Sequence, residues 1–412
     1  MKRFSRSSLT TMAVCLLFIP ALLKAQPRPA HRKKVGVVLS GGGAKGMAHI
    51  GVLKVIEKAG IPIDYVVGTS MGSIIGGLYS IGYSPEQLDS MVRRQDWTFL
   101  LSDKIPRSEQ NLSERDASQK YVFSIPFGKG VKAEVFGGLI RGQNLANLFS
   151  ELTIGYHDSI NFNKLPIPFA CVSENIVNGN EVNFHEGVLA TAMRASMAIP
   201  GVFTPVRLDS MVLVDGGVVN NYPVNVARAM GADLIIGVDV QSELKPAGEL
   251  NSAGAILGQL VNLMGQDLYK KNLKETTTYI KVNVEGYSAA SFTPSAIDTL
   301  IMRGEEAAMA QDSALMALKS QLGLDSTYMP QPIPSYPYSP ERKVYVKEIT
   351  FDGLDEKDKK WLLKRCDLKE NSEISIRRIE EATAILSANL GYSGATYNLP
   401  EAPGGGYNLN YT

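Results

Sequence analysis

Residues 65–79 read YVVGTSMGSIIGGLY, and this stretch decides the fold. It begins as a short apolar strand, turns at Gly68 to Gly72 and continues in a helical pattern. A G-x-S-x-G turn between a strand and a helix is the setting of a nucleophile elbow, where a serine projects from a turn too sharp for neighbouring side chains. The pattern therefore predicts that Ser70 is a nucleophile at the end of a sheet, flanked by Gly68 and Gly72.

A second glycine-rich turn lies upstream, between a strand predicted at 35–39 and a helix predicted at 47–58. It reads SGGGAKG over residues 40–46. Its glycines allow a tight turn that exposes backbone N–H groups beside a helix N-terminus, which favours a negative charge. The loop has two other interpretations. Gly41, Gly43 and Gly46 also fit a dinucleotide-binding pattern, with Asp64 near the position of a ribose-binding acid, or the glycines serve close packing alone.

The rest of the first 325 residues alternates short apolar runs with helical patterns. Strands in alternation with helices predict a mainly parallel sheet covered on both faces, so residues 34–325 are expected to form a three-layer α/β domain. Further strands are predicted at 169–172, 211–214, 234–238 and 279–284, and further helices at 143–151, 190–195, 224–230, 256–272 and 294–322.

A change in composition predicts a domain boundary after residue 325. Residues 326–342 are rich in proline and are expected to form an extended linker. The remainder, 343–412, is expected to form a small α+β module, with strands at 344–351, 396–397 and 407–411 and helices at 356–365 and 376–389. No cluster of residues in this module suggests catalysis.

A serine nucleophile needs a base, and Asp215 is the better candidate. It ends an apolar strand and is followed by Gly216 and Gly217, and in a parallel sheet the strand's carboxyl end would lie at the same edge as Ser70. The usual order of serine, acid and histidine is excluded, because no histidine follows residue 215. Two alternatives stay open: an aspartate that shapes a tight turn, and a base role for His185 through an unusual topology.

The N-terminus and the overall charge bear on location and partners. Basic residues 2, 3 and 6, an apolar run over 12–23 and the small residue Ala25 have the order of a secretory signal peptide, so 1–25 is predicted to be removed on export. The alternative is a membrane anchor, for which the run is short. The 42 Lys and Arg residues nearly cancel the 41 Asp and Glu residues, which gives no reason to expect nucleic-acid binding.

The ordered set of motifs resembles the patatin-like phospholipase family. The set comprises the glycine loop, the elbow, the Asp215 triplet and the stretch 195–203 upstream of the aspartate. The resemblance implies a Ser70–Asp215 dyad, hydrolysis of acyl esters in phospholipids or other lipids, and no metal or cofactor. It also implies an oxyanion hole made by N–H groups of Gly42, Gly43 and Ala44, with Lys45 fixing the loop.

The C-terminal module resembles a POTRA domain, the periplasmic module that precedes outer-membrane barrels, with residues 346–353 at its start. This resemblance implies a periplasmic or outer-membrane location. It also implies either a barrel in a longer chain or docking of 343–412 on an outer-membrane assembly partner. Aromatic residues between 97 and 140 are expected to form an acyl-chain wall or lid. The alternative functions are a non-catalytic lipid-binding or scaffold protein and, less in keeping with export, a dinucleotide-dependent oxidoreductase.

Overall fold

The computed structural model describes residues 32–104, 138–251, 253–334, 341–352, 354, 356–387 and 395–412. The helices are α1 Ala48–Lys58, α2 Met71–Ser80, α3 Pro85–Arg94, α4 Trp97–Leu100, α5 Gln143–Leu152, α6 Leu189–Ser196, α7 Val224–Ala229, α8 Ala253–Met264, α9 Gln266–Lys274, α10 Pro294–Met309, α11 Asp312–Gln321, α12 Glu356–Arg365 and α13 Ile376–Ser387. The strands are β1 Val35–Leu39, β2 Tyr65–Thr69, β3 Gly138–Ile140, β4 Ile160–Asn161, β5 Phe169–Asn175, β6 Asn180–Phe184, β7 Glu186–Gly187, β8 Gly201–Phe203, β9 Val206–Leu208, β10 Met211–Asp215, β11 Leu234–Asp239, β12 Thr278–Lys281, β13 Lys343–Phe351, β14 Ser372–Ser375, β15 Tyr397–Asn398 and β16 Tyr407–Tyr411.

The central sheet has the order β12-β11-β1-β2-β5-β10-β9, and β6 pairs with β5. Strands β12, β11, β1, β2 and β5 are mutually parallel, whereas β10, β9 and β6 are antiparallel to their neighbours. The predicted α/β fold with a mainly parallel sheet is confirmed.

Alternation along the buried strands gives the sheet two covered faces. Val35, Val37 and Leu39 of β1 pack on one side in a core shared with α1, α2 and α10. Val38, from the same strand, packs on the other side with Val67 of β2 and residues of α7. Because successive strand residues point to opposite faces, apolar residues at consecutive positions fit a strand with helices on both sides.

The route by which Asp215 reaches the sheet edge that carries Ser70 differs from the expectation. Strand β10 is antiparallel to β5, with Asp215 opposite Ser173, so the premise that it shares the direction of the elbow strand is wrong. Strand β5 is parallel to β2, with Val172 opposite Thr69, and it continues three residues further. Strand β10 descends along this extension and ends beside the elbow.

Two helices predicted as continuous are each divided. The pattern over 256–272 forms α8 and α9, which are separated at Gly265, and the pattern over 294–322 forms α10 and α11, which are separated near Gln311. Gly265 has ψ near 6° and Gln311 near 14°, so the backbone leaves the helical region at both positions. Helical periodicity alone does not mark such short interruptions.

The C-terminal residues form a second sheet of order β14-β13-β16-β15, in which β13 and β16 are parallel. Helices α12 and α13 supply apolar residues to its core, which also includes Ile154 from the segment after α5. Residues 326–334 contain no helix or strand, and Lys319 donates hydrogen bonds to the carbonyls of Ser326 and Tyr328 in this segment. No described helix has both the length and the apolar character that a membrane span requires.

Candidate active site

Ser70 occupies the sharp turn between β2 and α2. Its backbone has φ 54° and ψ −123°, a conformation that residues other than glycine rarely adopt. Ser70 occupies the N-cap position of α2. A Cβ on Gly68 would lie 2.3 Å from the Gly72 carbonyl oxygen, and one on Gly72 would lie 2.2 Å from the Leu39 carbonyl oxygen. Both glycines are therefore required by close backbone contact, and Ser70 sits on a strained elbow of the predicted type.

The Ser70 hydroxyl donates a hydrogen bond to Asp215. The Ser70 Oγ to Asp215 Oδ2 distance is 2.6 Å, and both side chains are buried. The other carboxylate oxygen, Oδ1, accepts a hydrogen bond from the Gly217 N–H at 2.7 Å. A Cβ on Gly216 would lie 2.2 Å from the Val172 carbonyl oxygen, so this glycine lets the turn pack against β5. The triplet therefore orients one carboxylate oxygen toward the serine.

Burial makes Asp215 a stronger base than an ordinary aspartate. It raises the pKa of the Asp215 carboxyl to about 6, although the hydrogen bonds from Ser70 and Gly217 oppose the shift. At neutral pH the group is ionised and can accept a proton. A pKa near the working pH is what general-base catalysis favours.

Ser196, at the end of α6, holds the elbow backbone in place. Its hydroxyl accepts a hydrogen bond from the Ser70 N–H at 3.0 Å and donates one to the Val172 carbonyl at 2.6 Å. The side chain is wholly buried. The motif analysis did not assign it a role, although it lies in the stretch 195–203 that resembles the family.

The glycine loop lies directly against the nucleophile. A Cβ on Gly41 would lie 3.1 Å from the Ser70 Cβ and 2.2 Å from Asn221 Oδ1. The Gly41 N–H donates to the Asn221 carbonyl, whereas the N–H groups of Gly42 and Gly43 have no acceptor among the described residues. These two groups are therefore free to donate to an oxyanion.

Ala44 does not fit the oxyanion role expected for it. Its N–H donates to the Ala289 carbonyl at 2.9 Å, and Gly43, with φ 57°, packs against the same residue. Ala289 follows β12 and is far from the loop in sequence, so no local pattern indicates this contact. Of the three expected oxyanion donors, the N–H groups of Gly42 and Gly43 thus stay available, whereas that of Ala44 is taken.

Lys45 and Gly46 fix the loop through contacts with Ser242 and with Met71 of α2. Lys45 is buried and donates a hydrogen bond to Ser242 Oγ at 2.8 Å. Burial and the nearby Lys281 lower the pKa of Lys45 to about 8, with Asp239 opposing the shift. A Cβ on Gly46 would lie 2.6 Å from Met71 Cβ, so this glycine lets the loop pack onto α2. These contacts fit the expected structural role of Lys45.

An apolar cavity of about 340 Å³ opens at Ser70 and Gly43. Helix α2 forms one wall and α5 another, and Trp97, which stacks on Phe292 with ring centroids 4.8 Å apart, forms a third. Trp97 belongs to the expected aromatic wall, and the nearby Leu101 also lines the cavity. The residues of that wall between 105 and 137 lie outside the described residues. A cavity of this size and lining suits an acyl chain.

The described histidines form no hydrogen bond to Ser70 or Asp215. His49 is wholly buried and bonds to the Ser40 carbonyl, His157 bonds to the Ser150 carbonyl, and His185 is half-buried in the loop after β6. The hydrogen bonds of Ser70 and Asp215 do not involve any of them. Among the described residues, no group of three histidine, cysteine or acidic side chains could hold a metal ion.

The fold and the site define an α/β protein with a serine–aspartate pair, a glycine loop and an apolar cavity. Residues 37–228 match the model of the patatin-like phospholipase family. The chain therefore carries a patatin-like phospholipase domain, as the sequence motifs predict. Both the elbow and Asp215 fall inside the matched range.

Three relatives illustrate the similarity. A lysophospholipase of Candida albicans is 31% identical over 52% of this chain and 14% of its own length. An uncharacterized NTE family protein of Mycobacterium bovis is 29% identical over 56% of this chain and 55% of its own length. A patatin-like phospholipase domain-containing protein of Caenorhabditis elegans is 35% identical over 50% of this chain and 14% of its own length. The chain thus spans between about a seventh and just over half of these relatives.

Proposed function

We propose that this chain is an exported acyl hydrolase of lipid esters, with phospholipids or lysophospholipids as the substrate class. The observation that carries the proposal is the 2.6 Å hydrogen bond from Ser70 Oγ to the buried Asp215 at the mouth of an apolar cavity. A nucleophile beside an apolar cavity suits an ester with an apolar acyl chain. The family match and the name of the Candida albicans relative support the same chemistry.

The proposed reaction proceeds through an acyl-enzyme. Asp215 takes the hydroxyl proton as Ser70 Oγ attacks the ester carbonyl, and the N–H groups of Gly42 and Gly43 stabilise the oxyanion. The leaving alcohol departs with the proton that Asp215 holds. A water molecule then gives its proton to Asp215 and attacks the acyl-enzyme, which releases the fatty acid and restores Ser70.

Export and an envelope partner are part of the proposal. The charged, apolar and small-residue order of 1–25 supports secretion, and the resemblance of 343–412 to a POTRA domain supports docking on an outer-membrane barrel or assembly partner. Fractionation of cells that express the full chain tests this. We expect the protein in the periplasm or outer membrane in a form shortened by 25 residues, and full-length protein retained in the cytoplasm would contradict it.

The catalytic proposal is tested by hydrolysis of a lysophospholipid over a range of pH. Because Asp215 acts as a base with a pKa of about 6, the rate should fall as the pH decreases through 6 and level off above about 7. Asp215→Asn should lack this pH limb and lose most of the activity. Lysophospholipid hydrolysis that persists in Ser70→Ala would contradict the assignment.

A further inference from the structure

Exposed apolar side chains are concentrated in one short part of the chain. Thirteen large apolar side chains are exposed among the described residues, and five of these lie within residues 244–264. Four belong to α8, where Ile256, Leu260, Leu263 and Met264 are each about half exposed or more. Their spacing of four, seven and eight residues places them on one face of the helix. Contiguous exposed apolar surface of this kind marks an interaction site.

The polar residue Gln259 anchors α8 to a neighbouring loop. Its side chain accepts a hydrogen bond from the Lys245 N–H at 3.0 Å and donates one to the Lys245 carbonyl at 3.2 Å. These bonds tie the helix to the loop that follows β11. The helix that carries the exposed stripe is therefore anchored to the domain near its middle.

Helix α8 lies at the catalytic edge of the sheet. It packs against the turn Gly216–Val218, which directly follows the general base Asp215. Gly265, just after the helix, approaches the Val219 carbonyl. The exposed stripe and the nucleophile therefore belong to the same end of the molecule.

The charges around the stripe indicate what it meets. Residues 250–266 contain no charged side chain. On one side, the exposed loop bonded to Gln259 carries Glu243, Lys245 and Glu249, which leaves one net negative charge. On the other side, the exposed face of α9 carries Lys270, Lys271, Lys274 and Asp267, which leaves two net positive charges. An uncharged apolar stripe beside a basic flank is complementary to a membrane surface with anionic headgroups.

We propose that α8 is an interfacial helix that seats the catalytic edge on an anionic lipid surface. Ile256, Leu260, Leu263 and Met264 enter the boundary between headgroups and acyl chains, and the lysines of α9 contact the headgroups. Seated this way, Ser70 meets lipids without their first leaving the membrane. The inference rests on the proposed function for its purpose, but binding itself requires no catalysis.

The test is flotation of purified residues 26–412, which include the whole compact unit 32–412, with vesicles. The chain carries Ser70→Ala so that the vesicles stay intact. With vesicles of phosphatidylglycerol and phosphatidylcholine we expect binding that falls at least tenfold in the double variant Leu260→Ser, Leu263→Ser. The matched control is Met302→Ser, Met309→Ser, which changes two equally exposed side chains on α10 and should bind as the parent does.

A lysine variant tests the basic flank separately. Lys270→Gln, Lys271→Gln, Lys274→Gln should lower binding to vesicles that contain phosphatidylglycerol about tenfold, and should leave weak binding to pure phosphatidylcholine unchanged. Equal binding by the leucine variant and its parent would overturn the proposal. A leucine variant that changes the oligomeric state while vesicle binding is unaffected would also overturn it, in favour of a contact between copies.

Hydrolysis of p-nitrophenyl butyrate, a short ester in solution, separates this proposal from the proposed function. In the Ser70 background the leucine variant should hydrolyse this ester at the unaltered rate and act at least tenfold more slowly on vesicles. If the leucine variant hydrolyses the ester and is as active on vesicles as its parent, the interfacial helix is overturned and the proposed hydrolase function stands. If the chain binds vesicles through these leucines but cleaves neither substrate, the interfacial helix stands and the proposed hydrolase function is overturned.

Discussion

At the scale of single residues, the absence of a side chain at Gly42 is expected to matter as much as a catalytic group. A Cβ there would lie 2.7 Å from Cγ2 of the buried Val240, so an alanine must displace either Val240 or the loop that carries the proposed oxyanion donors. Removal of one oxyanion donor costs roughly 2.7–4 kcal/mol of barrier. We therefore expect Gly42→Ala to lower kcat about 100-fold to 1000-fold on p-nitrophenyl butyrate. Gly248→Ala, at a position with open space, is the control and should retain normal turnover.

Ionised Asp215 should lower the stability of the folded protein. Its pKa is raised from 3.8 to about 6 by burial, so the folded state binds more protons than the unfolded state between these values. Stability from this group therefore decreases as the pH rises through that window, by about 3 kcal/mol at 1.36 kcal/mol per pKa unit. Asp215→Asn should unfold with a free energy about 1–3 kcal/mol larger at pH 8, and the gain should vanish near pH 4.

The free energy of unfolding is measured in urea at pH 8 and at pH 4. Asp239→Asn is the control for which the opposite result is expected at pH 8. Burial alone would raise its pKa, but Lys281, the Gln241 N–H and the Tyr279 hydroxyl together lower it. Asp239→Asn should therefore destabilise the protein at pH 8, because it leaves these donors without a charged acceptor. A less stable Asp215→Asn at pH 8 would contradict the assignment of Asp215 as a buried, costly base.

At the scale of elements, α6 should act on catalysis through Ser196. Ser196→Ala removes the acceptor of the Ser70 N–H and the donor to Val172, and buried groups left without partners cost about 1–3 kcal/mol. We expect a lower melting temperature and a lower kcat with little change in KM, because the serine loses its orientation while the cavity is retained. Ser80→Ala is the control, since this buried hydroxyl has no partner among the described residues. An unchanged kcat in Ser196→Ala would argue against a positioning role.

The sequence predicts elements well where one signal is strong. The apolar runs of β1, β2, β5 and β11 are short, and their neighbours are helical, so strand and helix are easy to distinguish. The interruption at Gly265 and the antiparallel direction of β10 are not predicted, because each depends on tertiary contacts. Strand direction in particular follows from the hairpin of β5 and β6 and from the return through β9, not from the local residues of β10.

At the scale of the whole molecule, the C-terminal residues 395–412 attach to the catalytic domain through His157. Its Nδ1 accepts a hydrogen bond from the Leu399 N–H at 2.7 Å, and its Nε2 donates to the Ser150 carbonyl. Nearby, the Glu401 N–H donates to Asp158. Since Nδ1 must be unprotonated to accept, the attachment requires a neutral histidine.

We expect this attachment to weaken in acid. Burial lowers the pKa of His157 to about 4, against the hydrogen bond to Ser150 and the charge of Asp158. The unfolded state binds more protons between pH 4 and 6.5, so the histidine's contribution is complete above 6.5 and is lost as the pH falls to 4. His157→Ala should cost about 2–4 kcal/mol at pH 7 and less near pH 4. The half-buried His185→Ala should show a much smaller effect in the same unfolding assay, and an equal cost for His157→Ala at both pH values would contradict the account.

The candidate site divides into parts that sequence can and cannot predict. Ser70, Asp215 and the glycines belong to local motifs whose backbone demands leave a signature, and the structure brings the serine and aspartate into contact. Ser196 and Ala289 act through contacts between distant segments, and a serine or alanine at these positions has no distinctive local pattern. The expected donor Ala44 was assigned by its place in the loop, yet the loop from 289 takes its N–H.

The central claim, a catalytic Ser70–Asp215 dyad, is tested most directly by labelling purified residues 26–412 with a fluorophosphonate probe. Such probes react with a serine that a neighbouring base activates. We predict that the unaltered chain is labelled, that Ser70→Ala is not, and that Asp215→Asn is labelled at least 100-fold more slowly. An unaltered chain that stays unlabelled in both detergent and lipid, or one whose labelling survives Ser70→Ala, would contradict the dyad.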